Sequence, residues 1–208
     1  MLLELAIGDA YGAGFEYANE MIFANDLSRY IKHPRHRLIP GSYTDDTQMS
    51  MAITETIVFQ GSWAPEVLAE NFVNAFKRDP REGYASRFYD FLVSIQYGKE
   101  FLAKIYSGSD KSGAAMRAAP IGLYSTPEKV IYFATIQAAT THNTQDGVNA
   151  ALAAALMYHC FIYQLGNKSA LGKFIESYVP GGCSQPWQGK VKTAARRFCE
   201  VGQKVSVR

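Results

Sequence analysis

From residue 145 to residue 166 the chain reads QDGVNAALAAALMYHCFIYQLG, and this run constrains the fold more than any other. Alanine is the best helix former, and apolar side chains occupy nearly every face of the run. A helix that is apolar all round must be enclosed by other elements, so a central buried helix ending at Gly166 is expected. Other stretches carry the helical period on one face. MSMAITETIVFQG spaces Met49, Ile53, Ile57 and Val58 along a helix and stops at Gly61. APEVLAENFVNAFKRDP has Pro65 near its start, Leu68, Phe72 and Phe76 on one face, Lys77 and Arg78 near its end, and Pro80 as its stop. In STPEKVIYFATIQAATTH, Thr126 is the expected N-cap and Pro127 pre-sets the backbone of the first turn. Further helices are expected over about Ser169 to Tyr178 and Trp187 to Val201, and MLLELAIGDA reads as a first core helix. Convincing alternating strands, internal repeats and interdomain linkers are absent. The expected fold is all-α, a compact single-domain multi-helix bundle over residues 1–208. Its loops fall at residues 32–46, 78–87, 106–122 and 179–189, where a rigid scaffold can present polar groups.

Composition supports one core and narrows the partners. With 208 residues, 48% hydrophobic and 19% charged, the chain suffices for one sizeable domain. The net charge is +2 and cations are scattered, apart from short clusters at Lys32 to Arg37 and Arg196-Arg197. Nucleic acid is therefore not expected as the main partner. Cys160, Cys183 and Cys199 are odd in number and form no C-x-x-C pair, which argues against a disulfide framework or zinc knuckle and for a reducing cytoplasm. No apolar run reaches the roughly 20 residues of a membrane span, and the N-terminal apolar stretch has no basic leader.

Four stretches offer chemistry. GDAYGAGFE places two acids, Asp9 and Glu16, among small and apolar residues; it reads as a close-packed helix end or as a site. YTDDTQMS puts Thr44, Asp45, Asp46 and Thr47 before an apolar run. They could cap the helix, with Gln48 three residues after Asp45 as in a capping box. The same oxygens suit a hard cation such as Mg²⁺ or Mn²⁺. SGSDKSGAAMRAAPIGL is a glycine-bearing loop before a short helix, and its backbone amides could meet a phosphate. It lacks the G-K-[ST] ending of a P-loop. In ATTHNTQDGVNAA, His142 falls between two helices, where a histidine is more often a hydrogen-bonded structural group than a ligand.

In their order, GDAYGAGFE, YTDDTQMS, KSGAAMRAAPIG and THNTQDGVNAA resemble the ADP-ribosylglycohydrolase family, which includes the dinitrogenase-reductase-activating glycohydrolase and the ADP-ribosyl-acceptor hydrolases. The resemblance runs over residues 5–155 by motif. It implies an all-α fold with a binuclear Mg²⁺ or Mn²⁺ site at the base of a cleft. It also implies hydrolysis at the anomeric ribose carbon, releasing ADP-ribose from a modified protein side chain or a small ADP-ribosyl compound. Thr44, Asp45, Asp46 and Glu16 would be metal ligands, with Asp45 or Glu16 as the base. The loop of Lys111, Ser112, Gly113, Ala114, Ala115, Met116 and Arg117 would wrap the diphosphate and distal ribose, and His142 would contact the ADP-ribose. Two departures stand out. Ser112 replaces the family's asparagine, and the D-x-D-[ST] motif that supplies the family's remaining ligands has no counterpart. The last 30 residues contain a single acid, Glu200. The resemblance thus implies either the hydrolase or an ADP-ribose-binding module or fragment with impaired turnover, its metal site short of ligands.

Overall fold

The structure, a computed structural model, describes residues 1–179. Among them the only β-pairing is an isolated bridge between Gly108 and His142, and the chain is all-α as its periodicity requires. α1 (Leu2–Gly12) leads through a 3-10 turn (Asn19–Ala24) and an irregular strap to α2 (Asp45–Glu55). α2 runs on into a π-helical turn, Thr56–Gln60, and ends at Gly61, whose φ of 63° is left-handed. A π turn holds more residues per turn and rotates the apolar stripe. Met49 and Ile53 are buried, Ile57 is half-buried, and Val58 is exposed.

α3 (Pro65–Arg78) buries Leu68, Phe72 and Phe76 and sets Lys77 and Arg78 at the negative end of its dipole. α4 (Ser86–Ser94) and α5 (Gly98–Lys104) follow; each is too short for its period to stand out in the sequence. Phe101 of α5 closes on Phe72 with 6.2 Å between ring centroids, and Phe76 meets Tyr84 edge-on at 5.6 Å. Each such buried ring contributes about 1.5–3 kcal/mol. The stretch expected as one loop over 106–122 contains α6 (Gly113–Met116) and a 3-10 turn, Ala119–Leu123. α7 (Pro127–Ala139) starts as expected: the Lys129 amide donates to Thr126 Oγ1 at 3.4 Å.

α8 (Gln145–Ile162) is the central element its alanines require. It packs on α6, α7 and the Ala119–Leu123 turn. It ends four residues before Gly166, where Gln164 already has a φ of 52°. α9 (Leu171–Glu176), after a 3-10 turn, stands where a helix over about Ser169 to Tyr178 is expected. The expected helix from Trp187 to Val201, with Cys183 and Cys199, lies outside the described residues. No helix among the described residues is long and apolar enough to cross a membrane.

One expectation fails. α1 is a helix but not a core helix: it buries only Ala10, while Leu3 and Ile7 are 69% and 49% exposed. Its apolar residues surround the axis, and its chief neighbour, α2, covers one face.

Candidate functional site

The first turn of α2 carries Asp45 and Asp46. A helix start leaves backbone N–H groups without intrahelical partners, and the sequence points to Thr44 or Asp45 as the remedy. The structure uses neither. Asp9, on α1, accepts from the Thr44 amide at 2.8 Å, the Thr47 amide at 3.1 Å, the Thr44 hydroxyl at 2.6 Å and the Thr47 hydroxyl at 2.5 Å. Thr44 sits at the N-cap position, yet its side chain accepts no capping hydrogen bond from its own helix. Nor does Gln48 close a capping box. It turns into the core, donating to the Ala75 and Asp79 carbonyls at 3.1 and 2.5 Å and accepting from the Tyr84 hydroxyl at 2.8 Å. A carboxylate from another helix caps α2, so Asp45 and Asp46 are not needed for it.

These two acids sit in a crowded, partly dry setting. Burial, and then the Glu16 carboxylate, raise the Asp45 pKa to about 7. Burial, followed by Asp45, Asp9 and Glu16, raises Asp46 to about 8. Glu16 is reached by solvent at the rim, but the protein mass around its carboxyl raises it, with Asp9 adding repulsion and His36 and His33 opposing. Glu16 thus disfavours the charged forms of both aspartates, and Asp45 that of Asp46, which a cation would relieve. Their donors are all oxygen, the chemistry of Mg²⁺ and Mn²⁺. Among the described residues no three His, Cys, Asp or Glu side chains converge to hold a metal ion. The residues fit such a cation in kind, as one or two carboxylates whose shell water and phosphate oxygens complete.

Asp45 is also held from the side. Its amide donates to the Glu82 carbonyl at 3.1 Å. Gly83 follows with a φ of 109°, and a Cβ there would collide with Asp45 Oδ1 and lie 2.9 Å from Thr44 Cβ. Glycine alone suits both that backbone and that space. Across from the doublet, Asp46 adds to the burial that raises the Tyr158 pKa, which places this α8 tyrosine within its field.

The second wall is the α6 loop with the turn that carries His142. Lys111 and Ser112 are exposed, Gly113 and Met116 are half-buried, and Ala114 and Ala115 are buried. The Ala115 and Met116 amides donate to the Ser112 carbonyl at 2.8 and 3.0 Å, which curls the loop. The Ser50 hydroxyl of α2 reaches the Met116 carbonyl at 3.4 Å and ties this wall to the acidic one.

Arg117, expected with this loop against the diphosphate, lies beneath it instead, 1% exposed. Its Nε donates to Gln137 Oε1 at 2.7 Å, and its Nη2 to the Gln137 carbonyl at 3.0 Å and the Thr141 hydroxyl at 2.6 Å. Gln137 returns an amide hydrogen to the Ala114 carbonyl at 2.9 Å. The guanidinium lies 4.4 Å from the Phe72 ring centroid, a cation–π contact. Burial lowers its pKa to about 9, which leaves it a cation at neutral pH.

Arg117 also orders the histidine. The Thr141 oxygen accepts from Arg117 and lies 2.7 Å from His142 Nδ1, to which it can donate its own hydrogen when the ring is the Nε2–H tautomer. Burial and the Arg117 charge lower the His142 pKa to about 3, and the ring is neutral. A Cβ on Gly113 would lie 2.9 Å from His142 Cε1, so the loop approaches the ring only as glycine.

The structure therefore gathers Glu16, Thr44, Asp45 and Asp46 around Asp9, and residues 111–116 with His142, and the Ser50–Met116 hydrogen bond joins the two groups. Asp9, Gly83 and Tyr158 join them without a sequence signal for these roles, beyond the acid at Asp9 and a turn glycine at 83.

The sequence profile of the ADP-ribosylglycohydrolase family matches residues 1–205. ADP-ribosylhydrolase ARH3 of Mus musculus is 30% identical over 171 residues, which cover 74% of this chain and 45% of that protein. ADP-ribosyl-[dinitrogen reductase] glycohydrolase of Rhodospirillum rubrum is 28% identical over 179 residues, covering 80% and 58%. ADP-ribosylarginine hydrolase Tri1 of Pseudomonas putida is 25% identical over 193 residues, covering 86% and 50%. The chain spans about half the length of the curated relatives it matches. With a profile match along nearly all of its length, the chain belongs to the ADP-ribosylglycohydrolase family.

Proposed function

We propose that this chain, as one family-type domain, removes ADP-ribose from a modified protein side chain or a small ADP-ribosyl compound, with Mg²⁺ or Mn²⁺ held by one or two carboxylates from the set Asp45, Asp46 and Glu16, assisted by Thr44 and completed by water and phosphate oxygens. The observation that carries this is the cluster of three acids, each raised first by burial and the two aspartates also by Glu16, beside a helix start capped by a fourth. A divalent cation bound there would neutralise the cluster and lower the pKa of water.

The chain's own groups do the rest. Asp45 or Glu16 takes the proton of the water that attacks the anomeric carbon and returns it to the acceptor, whose bond to that carbon breaks. The other carboxylate faces the positive charge that builds on the ribose. His142, neutral, offers its Nε2 hydrogen to the ADP-ribose. The loop from Lys111 to Met116 curls around the diphosphate and offers it the Ser112, Gly113 and Ala114 amides, with Lys111 adding charge.

The test is release of free ADP-ribose from ADP-ribosyl-arginine in Mg²⁺ or Mn²⁺. Release that needs the metal, and that Asp46→Asn abolishes without lowering the melting temperature, is the expected result. Absence of both release and calorimetric ADP-ribose binding would sink the reading. A second reading, ADP-ribose binding without turnover, is favoured by the lack of a converging chelate among the described residues. It expects binding that survives Asp45→Ala, and no release.

A further inference from the structure

Residues 28–37, SRYIKHPRHR, hold four of the chain's 21 Lys and Arg and none of its 19 acids. The site described above uses none of them. This strap lies directly on the segment that carries Glu16: a Cβ on Gly14 would collide with the Ile31 carbonyl. His33, 2% exposed, pins it there. Its Nδ1 accepts from the Arg35 and His36 amides at 3.0 and 2.8 Å, so its proton is on Nε2, which donates to the Glu16 carbonyl at 2.8 Å. Arg35 is spent holding Glu20 and the Tyr17 carbonyl. Tyr11 holds the strap's start, accepting from the Leu27 amide at 2.9 Å and donating to Asn25 at 2.8 Å.

The backbone is thus ordered while its side chains point outward. Arg29, Lys32 and Arg37 are exposed and make no hydrogen bond or close ion pair among the described residues; of the two acids in residues 17–39, Glu20 holds Arg35 and Asp26 feels the Arg29 charge, which leaves Lys32 and Arg37 uncompensated. Phe23 and Leu27 are 86% and 80% exposed, and Tyr17, Ile22 and Ile39 are exposed beside them. Tyr17 and Leu27 hold φ of 51° and 61°, a strained backbone for side chains left in water. An ordered surface that mixes unpaired cations with apolar groups has the composition of a protein interface, and little entropy is lost when it binds. Its few cations do not make the long basic face that a nucleic-acid backbone calls for, although Tyr17, Phe23 and Tyr30 expose rings.

We propose that the surface of residues 17–39 docks the polypeptide that carries the ADP-ribosyl group, selecting acidic and apolar residues around the modified side chain. The proposal rests on the reading of the adjoining cleft as an ADP-ribose-removing site and names the acceptor class. Charge complementarity fixes the partner's sign, and contact with the Glu16 segment fixes its position beside the bond to be cleaved.

Fluorescence anisotropy on the full chain tests it with three labelled probes: a glutamate–leucine peptide, its lysine–leucine counterpart and a single-stranded oligonucleotide. Binding of the glutamate peptide alone is expected, weakening as salt rises. The triple variant Arg29→Glu, Lys32→Glu, Arg37→Glu should bind it about tenfold or more weakly, as should Phe23→Ser with Leu27→Ser. Calorimetric ADP-ribose affinity and melting temperature should stay unchanged in both variants. Equal binding of the two peptides, or no effect of charge reversal, overturns the proposal. So does tighter binding of the oligonucleotide that ignores Phe23→Ser and Leu27→Ser. ADP-ribose binding without peptide preference overturns the docking surface and leaves the cleft's function standing. Peptide preference without ADP-ribose binding overturns the assignment to an ADP-ribosylated acceptor.

Discussion

Replacing Asp9 tests whether a carboxylate on α1 caps α2. Oδ2 accepts from two backbone amides and the Thr47 hydroxyl, and Oδ1 from the Thr44 hydroxyl. Thr44 and Thr47 are 4% exposed, so water does not readily take over these donors in Asp9→Ala. Bonds to a charged group contribute about 1.5–3 kcal/mol each, but bonds that share one carboxylate do not add fully. Allowing for that, Asp9→Ala should cost about 4 kcal/mol, well above the roughly 1 kcal/mol of an ordinary cap. Asp9→Asn is different. Its carbonyl oxygen can take the Oδ2 place, and its NH₂ can donate to Thr44 Oγ1 once that hydroxyl rotates. Only the charge is lost, and about 1 kcal/mol is expected. Urea unfolding at neutral pH reads both. With a slope of about 2 kcal/mol/M, the midpoints should fall by about 2 M and about 0.5 M, with unchanged slopes. Equal losses in the two variants, or a loss below about 1 kcal/mol in Asp9→Ala, would refute a cap supplied across the helix pair.

Gly83→Ala strains a φ of 109° and drives a methyl group at Asp45 Oδ1. About 2 kcal/mol of stability should be lost, together with metal-dependent ADP-ribose release; normal release would show that Gly83 does not set the Asp45 position. The pH dependence of stability should carry a His142 component. Its folded pKa of about 3 lies below the unfolded value, so the unfolded chain binds more protons as pH falls. The stability tied to neutral His142 is complete above the unfolded pKa of about 6.5 and is lost below it by about 1.4 kcal/mol per pH unit, down to the folded pKa. The raised pKa values of Asp45 and Asp46 act in the opposite sense, so the measurement is wild type minus His142→Gln in urea at each pH. A flat difference between pH 7 and about pH 5 would contradict the burial of a neutral ring.

The fold was legible where apolar period and stop signals agreed. α3 and α7 start at Pro65 and Pro127 as read from the sequence, and α8 is enclosed as its alanines demand. α4 and α5 were not legible, because nine and seven residues hold too few turns for a period to emerge. The π turn at Thr56–Gln60 was invisible for another reason. It leaves composition unchanged and alters only the angle at which Val58 projects. α1 shows the limit of hydropathy itself: an apolar helix is a demand for neighbours, and the chain around it determines which faces are covered.

The candidate site divides along the same line. Asp45 and Asp46 stand out because adjacent acids before an apolar run are conspicuous. Taken alone, the stretch supports capping and metal binding equally, since both use the same oxygens at the same helix start. The contact that separates them joins Asp9 to Thr44 and Thr47, 35 and 38 residues apart in the chain. Arg117 makes the converse case. Its place in the loop motif suits a phosphate, and its burial under Gln137 and Thr141 turns it into the support that orients His142. In each instance the residue type was readable and its partner was not. A carboxylate that caps from a distance leaves Asp45 and Asp46 out of the cap, and an arginine drawn inward is held beneath the loop's surface. The division between scaffold and site is therefore a property of tertiary contacts, and it enters at residues whose local sequence fits either role.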